Sequence, residues 1–311
     1  MANTNSDALN LAVQPSLVEK FKQFTNKDSV AGYIFSGPFI IGFLALTLIP
    51  MLISFYYSFT DFNLVTANWK GLANYARLFT DERFLNSVKV TLIYVVISVP
   101  LKLIFALFVA YLLTRKIKGV TVYRSLYYVP SLIGGSIAVA LVWKELFSGS
   151  GLINILLGSI GLPHLSWFGS AKLAMIPLIL MTVWQFGSSM IIFAAGLKEI
   201  PQTLYEAATI DGANKWQSFI KITIPQLSPI ILYNLVMQTI TAFMSFTQAF
   251  VITKGGPSDS TNFYSLYVYN TAFKYYDMGY ASAMSWVLLV IISIVTLLIF
   301  KSSKKWVSYD K

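Results

Sequence analysis

Cysteine is absent from the 311-residue chain, histidine occurs once, at His164, and charged residues make up only 12%, about half the share of an ordinary soluble chain. Without cysteine there is no disulfide framework, no thiolate nucleophile and no thiolate metal site, and one histidine cannot supply a zinc site alone. No metal site is expected. No glycine precedes Lys-Ser or Lys-Thr, so a nucleotide-binding P-loop is missing as well. Apolar surface takes the place of charge: 56% of the residues are hydrophobic and the mean hydropathy is +0.65. The composition is that of a membrane protein.

Where water cannot reach the backbone, a helix satisfies its own hydrogen bonds, and crossing takes roughly 17–25 apolar residues. Six segments qualify, near 33–59, 90–114, 123–147, 173–197, 229–253 and 281–300, and charge enters only the second and third. An all-α, polytopic protein with six transmembrane helices is predicted. Residues 1–30 form a polar segment without a signal-peptide core, 31–305 the six-helix membrane domain and 306–311 a tail. The apolar stretch 152–164 is too short to cross and is expected to lie on the surface or re-enter.

A net charge of +10 suits nucleic acid or a membrane's cytoplasmic face. Its distribution favours the second. With both termini inside, the cytoplasmic segments hold Lys20, Lys22, Lys27, Arg115, Lys116, Lys118, Arg124, Lys198, Lys215, Lys221, Lys301, Lys304, Lys305 and Lys311, against Lys70, Arg77, Arg83, Lys254 and Lys274 opposite. No nucleic-acid partner is then needed.

The loop 198–228 has a helical pattern. Pro201 suits a first turn, Leu204, Ala207 and Ala208 recur at helix spacing, and Gly212 is free to end the helix left-handed. A second short helix is expected from about Asn214 to Ile222, broken by Pro225. On pattern alone an amphipathic loop resting on lipid is equally admissible.

The spacing of Glu206-Ala207-Ala208, Gly212, Ile222 and Ile224-Pro225 resembles the signature EAA-x3-G-x9-I-x-L-P of binding-protein-dependent ABC importer permeases, with Ile224 in place of Leu. Within that family the chain is most similar to the maltose-type subunit of carbohydrate importers. The likeness is carried by FSGPFIIGFLALTLIPMLISFYYSFTDF, NYARLFTDERF, VYRSLYYVP and VITKGGP, and the large extracytoplasmic insertion of the enterobacterial maltose subunit is missing. The resemblance implies a bacterial inner-membrane subunit with no cofactor of its own. Its partners would be a second permease, two ATPase subunits holding Mg-ATP, and an extracytoplasmic binding protein delivering sugar. By the same resemblance, Tyr205, Glu206, Ala207, Ala208, Asp211 and Gly212 form the ATPase-coupling element, with Glu206 paired to a basic residue of the ATPase.

The fifth span carries a polar line, Asn234, Gln238, Thr241, Ser245 and Gln248, spaced to fall on one side of a helix. Amides and hydroxyls at membrane depth suit an uncharged polyhydroxylated ligand, and small polar residues also hold transmembrane helices together. In the fourth span Trp184, Gln185 and Ser188 form a smaller cluster. The family resemblance places substrate contacts at Trp184, Gln185 and Ser188 and at Gln238, Thr241, Ala242 and Ser245.

Lys102 falls in mid-span, two residues past Pro100, where an unpaired ammonium costs at least about 2.5–3.5 kcal/mol. It either faces a wet cavity and attracts acidic sugars such as uronides, or pairs with carbonyls freed at the proline or with a partner subunit.

The competing class is an ion-coupled secondary sugar transporter. Such carriers seat their ion on Asp, Glu or His within the spans, and here only Glu145 lies inside one. An intramembrane enzyme lacks paired carboxylates or a Ser/His pair, and a scaffold gives no reason for the coupling loop.

Overall fold

Among residues 28–114 and 119–308, which the computed structural model describes, helices follow one another through short turns and no β-strand forms. Residues 1–27, 115–118 and the last three residues lie outside the described part, and with them most of the predicted polar N-terminal segment. The chain divides into two compact units, Met1–Tyr56 and Tyr57–Lys311.

In the first unit α1 (Asp28–Phe43) passes through a π-helical turn, Leu44–Leu48, into α2 (Ile49–Tyr57). Pro50 has no N–H to give, and its ring crowds the carbonyl four residues back. The wide turn absorbs this: the Ile49 N–H reaches Leu44 O, one residue further back than in an α-helix. Phe35–Tyr57 is long and apolar enough to cross a bilayer.

The second unit begins with α3 (Ala73–Leu78) and is organised on α4 (Glu82–Leu113), a 32-residue helix whose apolar side chains supply much of the core. Asp81 caps α4 by accepting from the Arg83 and Phe84 N–H groups, and its Oδ2 accepts the Tyr267 and Tyr280 hydroxyls at 2.7 and 2.8 Å. Burial pushes the Asp81 carboxyl up, but these four donors outweigh it and hold the group below 3.8. The cap therefore ties the start of α4 to α13 (Tyr264–Tyr269) and α14 (Met278–Ser303). Beside it Arg77 pairs with Asp277 at 2.7 Å, and Arg83 grips Asp259 through two nitrogens.

The third and fourth predicted spans are not straight. Helices α5 (Val120–Ile133) and α6 (Ile137–Leu146) meet at 101°. Gly134-Gly135 interrupts the helix, and the Ser136 hydroxyl caps a new one by accepting from the Val139 N–H. After the eight-residue α7 (Leu152–Ser159), too short to cross as expected, α8 (Met175–Trp184) and α9 (Gly187–Glu199) are bent by 42°. Gly187 sits where a Cβ would strike the Tyr127 carbonyl 2.3 Å away, so glycine lets α9 approach α5 closely. Among the described residues four helices alone meet the length of a crossing, or up to six if each bent pair is one span.

The loop beyond α9 contains α10 (Gln202–Ile210) and α11 (Lys215–Ser218). Contrary to expectation, Pro225 does not break the helix. A second π-helical turn, Phe219–Thr223, carries α11 into α12 (Ile224–Phe243), with the Ile224 N–H bonded to Phe219 O. The arrangement ahead of Ile224-Pro225 repeats that ahead of Ile49-Pro50. The fifth span thus starts earlier than predicted, at Lys215, and ends earlier, at Phe243.

Candidate translocation cavity and coupling loop

A cavity of about 240 Å³ opens among α4, the α5–α6 break, the α8–α9 break and the end of α12. Gln185, Gln238, Thr241, Ala242, Ser245, Gln248 and Lys102 all line it. Seven residues singled out from sequence therefore share one wall. Ser245 and Gln248 reach it because the chain leaves the helix at Met244 and turns, so the polar line is carried by α12 and by the segment after it, not by one continuous helix.

Three expected contacts lie elsewhere. Asn234 is buried and donates from Nδ2 to Ile230 O at 3.1 Å. Trp184 packs its ring on Trp143, with centroids 5.5 Å apart. The Ser188 N–H donates to Ser131 Oγ, which itself donates to Gln185 O, so the two serines brace the α8–α9 break. The Asn234 amide, the Trp184 ring and the Ser188 backbone are each engaged by their own or a neighbouring helix, which periodicity cannot reveal.

Among the lining residues not singled out from sequence, Tyr94 and Thr182 carry the polar contacts. Tyr94 Oη and Thr182 Oγ1 hydrogen-bond at 2.5 Å, the Gln248 amide donates to Tyr94 Oη, and it donates to Ser245 Oγ at 2.5 Å. This buried network joins α4, α8 and the turn after α12. The sequence signal was present, since Tyr94 and Lys102 are eight residues apart and Thr182 precedes Gln185 by three, which keeps each pair near one helical face. Gln185 Nε2 also donates to Gly134 O and Met181 O, at 3.3 and 3.2 Å. A Cβ on Gly134 would overlap the Gln185 side chain at 2.4 Å. The two helix breaks therefore fit into each other beside the cavity.

At the far end of α12 the loop 198–228 forms the expected helix–turn–helix. Gly212 has φ +79°, the Ala213 N–H bonds to Ala208 O at 2.8 Å, and the Gly212 N–H to Thr209 O at 3.1 Å. This pair of bonds is a Schellman cap, which needs a left-handed residue at the glycine position. Asn214 and Gln217 then start α11 with a reciprocal capping box, both bonds 2.8 Å. Tyr205 turns inward and hydrogen-bonds the buried Thr223 Oγ1 at 2.8 Å. Glu206, Ala207 and Asp211 face outward, beside Ile210 at 87% and Trp216 at 67% exposure. Among the described residues Glu206 makes no ion pair.

Known proteins place this architecture. Residues 72–308 match the family described as the binding-protein-dependent transport system inner membrane component, and the chain belongs to that family. It is a transport component, not an enzyme. A probable ABC transporter permease protein of Bacillus subtilis strain 168, YesP, is 54% identical over 289 residues, covering 91% of this chain and 94% of the relative. The multiple sugar-binding transport system permease protein MsmF of Streptococcus mutans is 36% identical over 261 residues, 83% of this chain and 89% of its own. A crystal structure of a bacterial ABC transporter involved in import of the acidic polysaccharide alginate has a chain of the same fold, with a TM-score of 0.79 at 23% identity over 92% of this chain and 99% of the other. A second crystal structure, of the alginate transporter bound to an alginate pentasaccharide-loaded periplasmic protein, gives 0.78 at 22% identity over 92% and 98%.

Proposed function

We propose that this chain is the permease subunit of an ATP-driven sugar importer in the bacterial cytoplasmic membrane. It would line half of the path taken by an oligosaccharide or related sugar that an extracytoplasmic binding protein delivers. A second, similar permease completes the path, and two ATPase subunits holding Mg-ATP dock on the 198–228 loop. Residues 31–305 form the membrane domain, with the polar N-terminal segment and the tail on the ATPase side. Counting Lys89 and Lys172 with the opposite loops, the basic residues still divide fourteen to seven in favour of that orientation.

The observation that carries the proposal is one helix with work at both ends. Thr223, at the base of α12, holds Tyr205 of α10, and Gln238 and Thr241, fifteen and eighteen residues on, line the cavity. At 1.5 Å per residue the two ends lie roughly 22–27 Å apart. Displacing α10 tilts the wall that faces the solute, which is the rigid-body rocking an alternating-access pump requires. The lining holds no Asp, Glu or His, so an ion-coupled carrier has no seat for its ion there.

Glu206 is an exposed carboxylate of the element with no ion pair among the described residues, and removing one partner of a desolvated ion pair costs about 3–5 kcal/mol. In a complex reconstituted with its partner permease, ATPase and binding protein, Glu206→Lys is expected to abolish sugar uptake and sugar-stimulated ATP hydrolysis while the protein still inserts. Wild-type uptake and stimulation by that variant would refute the coupling assignment.

A further inference from the structure

Among the described residues Lys102 is the one cation on the cavity wall, and it is only 7% exposed. Among the described residues no hydrogen bond or ion pair involves its Nζ, so it does not cap the carbonyls freed by Pro100. Glu145, the acid within the predicted spans, is engaged with Ser148 at 3.3 Å. The remaining lining groups are amides, hydroxyls and apolar side chains. The described residues thus place an amine without a counter-ion on the wall of a space otherwise lined as for a neutral polyol.

We infer that the solute is an acidic saccharide whose carboxylate takes charge-assisted hydrogen bonds from Lys102 Nζ, while Gln238, Thr241 and Ser245 meet its hydroxyls. The inference rests on the transport reading above and names its substrate class. A carboxylate fits better than a phosphate, because a single ammonium matches one negative charge and no second cation or guanidinium fork lines the space. One cation also holds an anion weakly enough to release it, as passage requires.

An independent feature agrees. Phe246 lines the cavity, stacks on Phe250 and packs at a tilt against Tyr269, each with centroids 5.0 Å away, and Tyr269 continues to Phe273 at 5.1 Å. The far end of this aromatic run borders a second pocket that contains Lys254 and Lys274. Aromatic rings and two lysines thus line that second pocket together, side chains suited to the apolar face and the carboxylate of a uronic acid.

The test compares short alginate and galacturonate oligosaccharides with their carboxyl-reduced counterparts. Uptake is measured with the complete transporter and its binding protein in vesicles, and equilibrium binding with the complex alone. The wild type is expected to take up an acidic form, and Lys102→Met to weaken its binding by at least about tenfold, the loss of one charge-assisted hydrogen bond. Binding of the carboxyl-reduced form should change by less than about twofold, and Lys102→Arg should keep most of the acidic preference. Equal losses for both forms, or release of the partner permease by Lys102→Met, would overturn the inference. A wild-type complex that carries neutral and refuses acidic saccharides overturns it while the transport reading stands. If no saccharide of either kind moves, both fall.

Discussion

Replacing Gly212 separates two explanations of why a glycine stands in the 198–228 loop, proposed above to couple to the ATPase. At φ +79° the residue is in the left-handed region, where a side chain costs roughly 1–2 kcal/mol and a β-branched one is worse. No atom lies within 4 Å of a Cβ added there, so within this chain the whole cost is conformational and none is steric. Gly212→Val should therefore cost about 2 kcal/mol of loop stability, enough to change the population of the Schellman-capped state about thirtyfold. Gly212→Asn, which tolerates the left-handed region, should cost only a fraction of that. The assay is transport and ATPase stimulation by the reconstituted complex, together with amide exchange across residues 202–222. The expected order is wild type, then Asn, then Ala, then Val, with faster exchange at Gly212 and Ala213 tracking lost transport. If Asn is as damaging as Val while exchange stays slow, the constraint is close approach of a docked partner and the backbone argument is refuted.

Three further outcomes follow from contacts elsewhere. Tyr205→Phe leaves the buried Thr223 hydroxyl without its partner at a cost of about 1–3 kcal/mol. It should lower sugar transported per ATP hydrolysed more than ATP hydrolysis itself, and an unchanged ratio would show that the α10–α12 bond carries no force. Gln248→Leu and Tyr94→Phe should each destabilise the protein by about 1–3 kcal/mol, with a double variant costing less than the sum; additivity within about 0.5 kcal/mol would mean the two side chains act independently. Asp81→Asn should lower the melting temperature at neutral pH. Because the folded-state carboxyl lies below its ordinary 3.8, this stabilisation is present above 3.8 and is lost as pH falls through the folded value. The gap between wild type and variant should therefore close in acid, and a gap that persists there would assign the effect to packing.

Helices were legible because apolar runs and missing charge report burial in lipid directly. The helix–turn–helix of loop 198–228 was legible because a glycine cap and a capping box are local devices, written in neighbouring residues. Breaks were harder. Gly134-Gly135 and Gln185-Phe186 sit inside apolar stretches whose composition looks continuous, and only the docking of Gln185 onto Gly134 shows why the chain bends there. Pro225 misled in the other direction, since a π-helical turn placed before it lets the helix continue. Within the polar line, Asn234 and Gln248 have the same chemistry and the same phase. One is spent on its own helix and the other joins a network of three elements, a distinction set by tertiary contacts. Lys102 stood out as an anomaly in sequence, but its direction depended on how α4 packs.

The measurement that bears most directly on the central claim is solute accumulation in vesicles containing this chain and its partner permease, with and without the ATPase subunits. Accumulation against a gradient is expected only with the ATPases, ATP and the loaded binding protein together, and none under an imposed proton or sodium gradient. Concentrative uptake by the two permeases alone, driven by such a gradient, would contradict the account.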